Sequence, residues 1–297
     1  MVHGRRGLFP LLLATVAALS LCSGRATAAA PPSAAATATT VSSSRDGVPI
    51  RVWSAGEGAP AVVLIHCWMC DHHIWDNVAP ELAKSYRVVT LDLPGHGASG
   101  RDRTTWTMAA FGEDVASVVQ TLHLDKVILV GHSMGGAVML EAASRTPGHV
   151  VGMVGVDTLL DADERDDAKA IDAWLATMKA DFRGQTQALV RMIAGKSSDP
   201  AVIGRVAEQM SSGDPAIGLA LMDSLQHYDV KAGMQRAHAP MVGINSTMHA
   251  TNVAANRKYL PRYDLLLLPE GVGHFPQIEA PQAFNALLLQ AIALLTH

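Results

Sequence analysis

Gly131-His132-Ser133-Met134-Gly135 is the stretch of this 297-residue chain whose residue types and spacing best suit a reaction. A serine hydroxyl becomes a useful nucleophile when a neighbouring base takes its proton. Ser133 follows the apolar run Val127-Ile128-Leu129-Val130 and precedes Gly136-Ala137-Val138, where a helical pattern opens. That strand–turn–helix context is the one in which G-x-S-x-G does chemistry. The sharp turn strains the serine backbone, and side chains at 131 and 135 would collide. The hydroxyl is lifted towards a helix N-terminus, where backbone N–H groups favour developing negative charge. The expected base is His274, in Gly271-Val272-Gly273-His274-Phe275-Pro276. This loop falls between the last expected strand and the last expected helix, and its glycines let an imidazole reach the C-terminal edge of a sheet beside Ser133.

Other reactive residues read as structural. His66, His72 and His73 are close in sequence, but no Asp, Glu or His set beside them has zinc spacing, so no metal is expected. His66 is expected to pack or hydrogen-bond beneath its loop, His72 and His73 to be exposed, and Asp92 and His96 to fix their own turn. Cys67-Trp68-Met69-Cys70 lacks a thioredoxin-like setting, which leaves a local disulfide or two free thiols. Asp161, Asp163, Glu164, Asp166 and Asp167 lack a calcium-loop pattern and read as solvent-facing acids near a helix start.

The elements that must position these residues alternate. Strands are expected at Ile50–Ser54, Ala61–Ile65, Val88–Leu91, Lys126–Val130, Val150–Val156, Met241–Ile244 and Leu265–Leu268. The continuous apolar runs at 127–130 and 265–268 predict strands buried on both faces. Helices are expected from about Ile74 to Lys84, Met108 to Thr121, from near Gly135, and from Pro281 to Leu295. This is an α/β pattern with a largely parallel sheet. From about 158 to 235 the alternation stops, and the amphipathic segments there predict a helical cap over the strand ends.

With 49% hydrophobic residues the chain can bury one large core, and its formal charge of −4, with no run of Lys or Arg, argues against nucleic acid. Arg5 and Arg6, the apolar stretch Leu8 to Leu21, and Ala26-Thr27-Ala28 predict a signal peptide over 1–28 and an exported, periplasmic or secreted protein. The apolar run is short for a membrane span, so no stable span is expected after cleavage. Leu21 before Cys22 disfavours lipid attachment at that cysteine. Removal of 1–28 leaves 20 basic and 27 acidic residues, with 29–40 expected to be disordered and 41–297 to form the domain.

The sequence resembles the α/β-hydrolase superfamily, serine esterase and lipase-like members in particular, over nearly all of the mature chain. Besides the serine and histidine motifs, the resemblance is carried by Asp92-Leu93-Pro94-Gly95-His96-Gly97-Ala98-Ser99, by Glu279 and Pro281 after the histidine loop, and by Ile65-His66-Cys67-Trp68. It implies an eight-stranded, mostly parallel sheet flanked by helices, a variable cap, no metal and no organic cofactor. It also implies oxyanion donors at the backbone N–H groups of Trp68 and Met134. Cys67 stands where the family usually has Gly, which would strain a positive φ or narrow the pocket. The family's usual triad acid follows the strand at 241–244, yet Asn245 to Asn252 holds no Asp or Glu, and His249 occupies that place. An alternative family position, at the end of an earlier strand, falls here on Asp157, ahead of Asp264 and Glu270.

The expected activity is hydrolysis of a small to medium carboxylic ester or lactone through an acyl-enzyme on Ser133. Other serine-dependent chemistry on this fold, such as carbon–carbon bond hydrolysis or cofactor-free peroxidation, is the enzymatic alternative. A ligand receptor with little turnover is the non-enzymatic one.

Overall fold

The computed structural model describes residues 36–164 and 167–296, so the signal-peptide reading of 1–28 lies outside the described residues. Eight strands form one sheet: β1 Thr37–Ser42, β2 Pro49–Ala55, β3 Ala61–Ile65, β4 Val88–Asp92, β5 Val127–His132, β6 Val150–Val156, β7 Met241–Asn245 and β8 Tyr263–Leu267. Their spatial order is β1-β2-β4-β3-β5-β6-β7-β8. β2 runs antiparallel to both β1 and β4, and the strands from β4 across to β8 are parallel. β3, β4 and β5 are buried along their whole length because helices cover both faces, which is why they read as unbroken apolar runs.

The helices are α1 Ala79–Leu82, α2 Met108–Thr121, α3 Met134–Arg145, α4 Ala168–Ala180, α5 Phe182–Ile193, α6 Pro200–Ser211, α7 Pro215–Gln226, α8 Val230–Ala237, α9 Val253–Tyr259, α10 Pro276–Glu279 and α11 Pro281–Thr296. α4 to α8 fall between β6 and β7. Each begins on an aspartate, Asp167, Asp181, Asp199, Asp214 or Asp229, whose carboxylate accepts a first-turn N–H. A cap of this kind is worth about 1 kcal/mol, and Pro200 and Pro215 add a preset φ at the first helical position. Among the described residues no helix is long and apolar enough to cross a membrane.

Three expectations need correction. Thr37–Thr40, placed in the disordered segment, pair with Arg51–Ser54 as an edge strand; threonine suits a pleated, half-buried surface. The single helix expected from Ile74 to Lys84 is a 3-10 turn at His72–Trp75 followed by one short turn of α1. Pro80 lies in the first turn of α1, where proline starts a helix readily and continues one poorly. β8 is not buried on both faces: it is the last strand of the sheet, and Leu267 is 53% exposed.

Candidate active site

The sheet reverses its winding at β3, which pairs with β4 on one side and β5 on the other. A crevice opens beyond the strand ends at such a reversal. Ser133 lies there as the residue between β5 and α3, with φ 54° and ψ −118°, a strained conformation for a residue with a Cβ. The neighbouring glycines are required by space. A Cβ on Gly131 would sit 2.2 Å from the Gly135 carbonyl oxygen, and one on Gly135 would sit 2.6 Å from that of Ile65. The turn is held by Ser133 N–H donating to Val156 O at 3.0 Å and Thr158 Oγ1 donating to Ser133 O at 2.9 Å.

Asp157 follows β6 directly. His274 Nδ1–H donates to its Oδ2 at 2.7 Å, and Ser246 N–H donates to its Oδ1, also at 2.7 Å. The segment after β7, which holds no acid from Asn245 to Asn252, thus contributes a backbone donor to the displaced carboxylate. Burial acts to raise the Asp157 carboxyl, but the hydrogen bond and charge of His274, joined by Ser246, outweigh it and hold it below the ordinary aspartate value. Asp157 has φ 43°, a left-handed conformation that aspartate tolerates better than most residues. The competing acids are elsewhere: Asp264 pairs with Arg257 at 2.7 Å, and Glu270 is exposed.

Ser133, Asp157 and His274 line one cavity of about 400 Å³. Its apolar wall is Leu159, Leu160, Ile193, Leu225, Val230 and Met248, and His249 also faces it. Trp68 and Met134 do not line this cavity. Met134 is the first residue of α3, and the close approach of Gly135 to the Ile65 and His66 carbonyls brings that helix start against the loop carrying Trp68. Cys67 has no positive φ; the left-handed residue of this loop is Met69, at 53°. Cys67 and Cys70 form a disulfide, and both are buried. Alkylation of Cys67 and Cys70 should therefore require prior reduction, as peptide mapping would check.

A family model described as alpha/beta hydrolase fold matches residues 60–191, from β3 through most of α5. The solved structure of Est816, described as an N-acyl homoserine lactone degrading enzyme, superposes with a TM-score of 0.73 at 24% identity, covering 85% of this chain and 99% of that one. The chain has the α/β-hydrolase fold. Among relatives of this α/β-hydrolase-fold protein, the dihydrolipoyllysine-residue acetyltransferase component of the acetoin cleaving system of Pseudomonas putida is 28% identical over 245 residues. The alignment takes in 79% of this chain, which spans 64% of that relative's length. The karrikin insensitive 2 receptor IA of Petunia hybrida is 22% identical over 261 residues, 82% of this chain and 94% of the receptor.

Several residues that hold the site were not singled out from the sequence. Glu279, noted there only as part of the family pattern, is a clamp in this α/β-hydrolase-fold chain. Its Oε2 accepts from Gly273 N–H at 2.6 Å, Gly195 N–H at 3.0 Å and Ser198 Oγ–H at 2.7 Å, and its Oε1 accepts from Phe275 N–H at 2.9 Å. His274 N–H itself donates to Ile193 O of α5 at 2.9 Å. His132, inside the serine motif, is fully buried; its Nε2–H donates to the His274 carbonyl at 2.7 Å, and its Nδ1 accepts from Gln277 Nε2 at 3.1 Å. The signal for both was present: an acid five residues beyond the base, and a histidine beside the nucleophile.

The remaining histidines fall mostly as expected. His66 Nδ1–H donates to Cys67 O at 2.8 Å, and its Nε2 accepts Leu93 N–H at 2.9 Å. Asp92 accepts from His72 N–H and Ala98 N–H, fixing the turn that follows β4. His72, expected to be exposed, is instead half-buried: its Nδ1 lies 2.8 Å from Asp92 and its ring stacks on Trp53 at 3.5 Å. Among the described residues no group of three or more His, Cys, Asp or Glu could hold a metal.

Burial pushes the His132 imidazole down to about 3, with His274 adding to it. Burial, with His66 beside it, pushes His96 down to about 3 as well. In the unfolded chain both rings take a proton near pH 6.5, while in the folded chain they stay neutral until about pH 3. Their contribution to stability is complete above about pH 6.5 and is lost progressively as the pH falls towards about 3. The urea midpoint should fall across that window, and fall less in His132→Gln, whose amide can still donate to the His274 carbonyl. A midpoint that stays level down to about pH 4 would contradict this reading.

Proposed function

We propose that this protein is a serine hydrolase that cleaves a carboxylic ester or lactone of a small to medium acyl group. The observation that carries the reading is the 2.7 Å contact of His274 with Asp157 in a cavity shared with a strained Ser133. Ser133 Oγ attacks the carbonyl carbon while His274 Nε2 takes its proton. The tetrahedral oxygen accepts from the N–H groups of Trp68 and Met134. Collapse expels the alcohol, protonated by His274, and leaves an acyl-Ser133 ester that water cleaves by the same steps. Asp157 fixes the imidazole tautomer and stabilises its charged form. The apolar wall from Leu159 to Met248 suits an uncharged acyl chain.

Labelling with a fluorophosphonate, followed by p-nitrophenyl esters of increasing chain length, tests the nucleophile and the acyl size together. Absence of both labelling and turnover would overturn the reading. The 22% identity to a karrikin receptor along nearly all of that receptor's length favours one second reading, a binding protein with little turnover. A stoichiometric burst of product with negligible steady rate would identify it. We further propose that the protein acts after export. The basic, apolar and small-residue succession over 1–28 supports this, as does a disulfide suited to an oxidising compartment.

A further inference from the structure

We propose that the Cys67–Cys70 disulfide is a positioning element of the oxyanion loop, so that turnover requires the oxidised cysteines. The inference rests on the serine-hydrolase reading, with Trp68 N–H as a donor.

The loop after β3 has one residue out of the ordinary backbone regions, Met69 at φ 53°. A non-glycine residue is held there at a cost in free energy, so its surroundings must enforce it. One direct constraint on the turn is the Cys70 N–H bond to Cys67 O, which at 3.2 Å is long. The same carbonyl also accepts from His66 Nδ1 at 2.8 Å. The disulfide closes the ring across Trp68 and Met69 and joins the two ends of the turn covalently.

On the far side the loop is gripped by the cap. Trp68 Nε1–H donates to Gly218 O of α7 at 2.8 Å, and its ring meets Phe182 of α5 edge-on at 5.7 Å. Met69 reaches under the turn between α6 and α7, where a Cβ on Gly213 would lie 2.0 Å from the Met69 methyl. The Trp68 side chain is therefore anchored above, and its backbone is set by the ring below. At the position where the family's loop has glycine, this chain has one half of a cross-link.

Reduction by dithiothreitol converts the disulfide to two thiols, and the reagent leaves as its cyclic disulfide. With the ring open, Met69 is free to leave its left-handed conformation, and Trp68 N–H is no longer held for the donor role proposed for it. A donor that acts on the oxyanion alone is lost from kcat and not from KM. Loss of one such donor typically lowers kcat by about 10²-fold.

The test uses the mature protein reduced under native conditions until two thiols titrate. kcat for a p-nitrophenyl ester should fall about 10- to 100-fold with KM within about threefold, and reoxidation should restore it. Affinity for a trifluoromethyl ketone, whose adduct places an oxyanion in the same hole, should fall in step with kcat, while affinity for the product acid stays level. Cys70→Ser should show the same loss and no further response to reductant, which covers the case of a disulfide too buried to reduce. The amide and indole N–H signals of Trp68, followed by NMR, report on the loop whether or not the protein turns over esters. If the oxidised protein hydrolyses nothing, the ester reading fails, and the Trp68 signals alone decide this one. Unchanged Trp68 signals in the reduced protein, or parental kcat in reduced protein and Cys70→Ser alike, would overturn the proposal.

Discussion

Ser133→Ala is expected to abolish fluorophosphonate labelling and to lower kcat by on the order of 10⁴- to 10⁶-fold, with no change in the thermal midpoint beyond a few degrees. In the proposed mechanism this hydroxyl is the atom that forms the acyl bond. The fold should survive because alanine keeps the Cβ, and the strained φ of 54° is imposed by the turn rather than by the hydroxyl. The bonds that hold the elbow, from Ser133 N–H to Val156 O and from Thr158 to Ser133 O, are main-chain at position 133 and remain. Residual activity over the spontaneous rate is expected, since the proposed oxyanion donors and the cavity are left intact. Ester hydrolysis within tenfold of the parent would remove Ser133 from the reaction.

Asp157→Asn should be the second most damaging change, with kcat lowered by about 10⁴-fold and little loss of stability. Asparagine tolerates the left-handed φ of 43° and can still accept the Ser246 N–H through its oxygen. Its amide nitrogen then faces His274 Nδ1, where a carboxylate oxygen stood at 2.7 Å. Two donors cannot share that contact, so the imidazole must present Nδ1 as acceptor and carry its proton on Nε2, the nitrogen that should receive the serine proton. The exposed Glu270 serves as control, and Glu270→Gln should retain parental turnover. If Asp157→Asn turned over normally while Glu270→Gln did not, the acid would belong beside the histidine instead.

Much of this site is readable in the sequence because its constraints are local. The glycines at 131 and 135 follow from collisions within one turn, and β5 and α3 flank that turn in the chain. Asp157 is readable by a different route: the segment 245–252 lacks a carboxylate, and one follows β6 directly. What escapes is the set of bonds made across long separations by groups with no side-chain signature. Ser246 supports Asp157 through its backbone, 89 residues away, and Ile193 supports His274 through a carbonyl. Any residue but proline could supply that N–H, and any residue at all could supply the carbonyl. β1 is missed for a related reason, since an edge strand of threonines resembles a polar leader until its partner β2 is in place. The apolar run at 265–268 misleads because composition does not reveal that β8 closes the sheet.

The insertion between β6 and β7 is sewn to the sheet at both reactive loops: Ile193 and Gly195 meet the histidine loop, and Gly218 meets Trp68. Those seams make it a poor candidate for exchange as a module. A foreign cap would arrive without the carbonyls at 193 and 218, and the two loops would lose main-chain partners that no adjustment of surface charge or length replaces. Changes of preference in this lineage, natural or engineered, are accordingly expected to accumulate as single replacements along the wall formed by Leu159, Leu225 and Val230, with the seams left untouched.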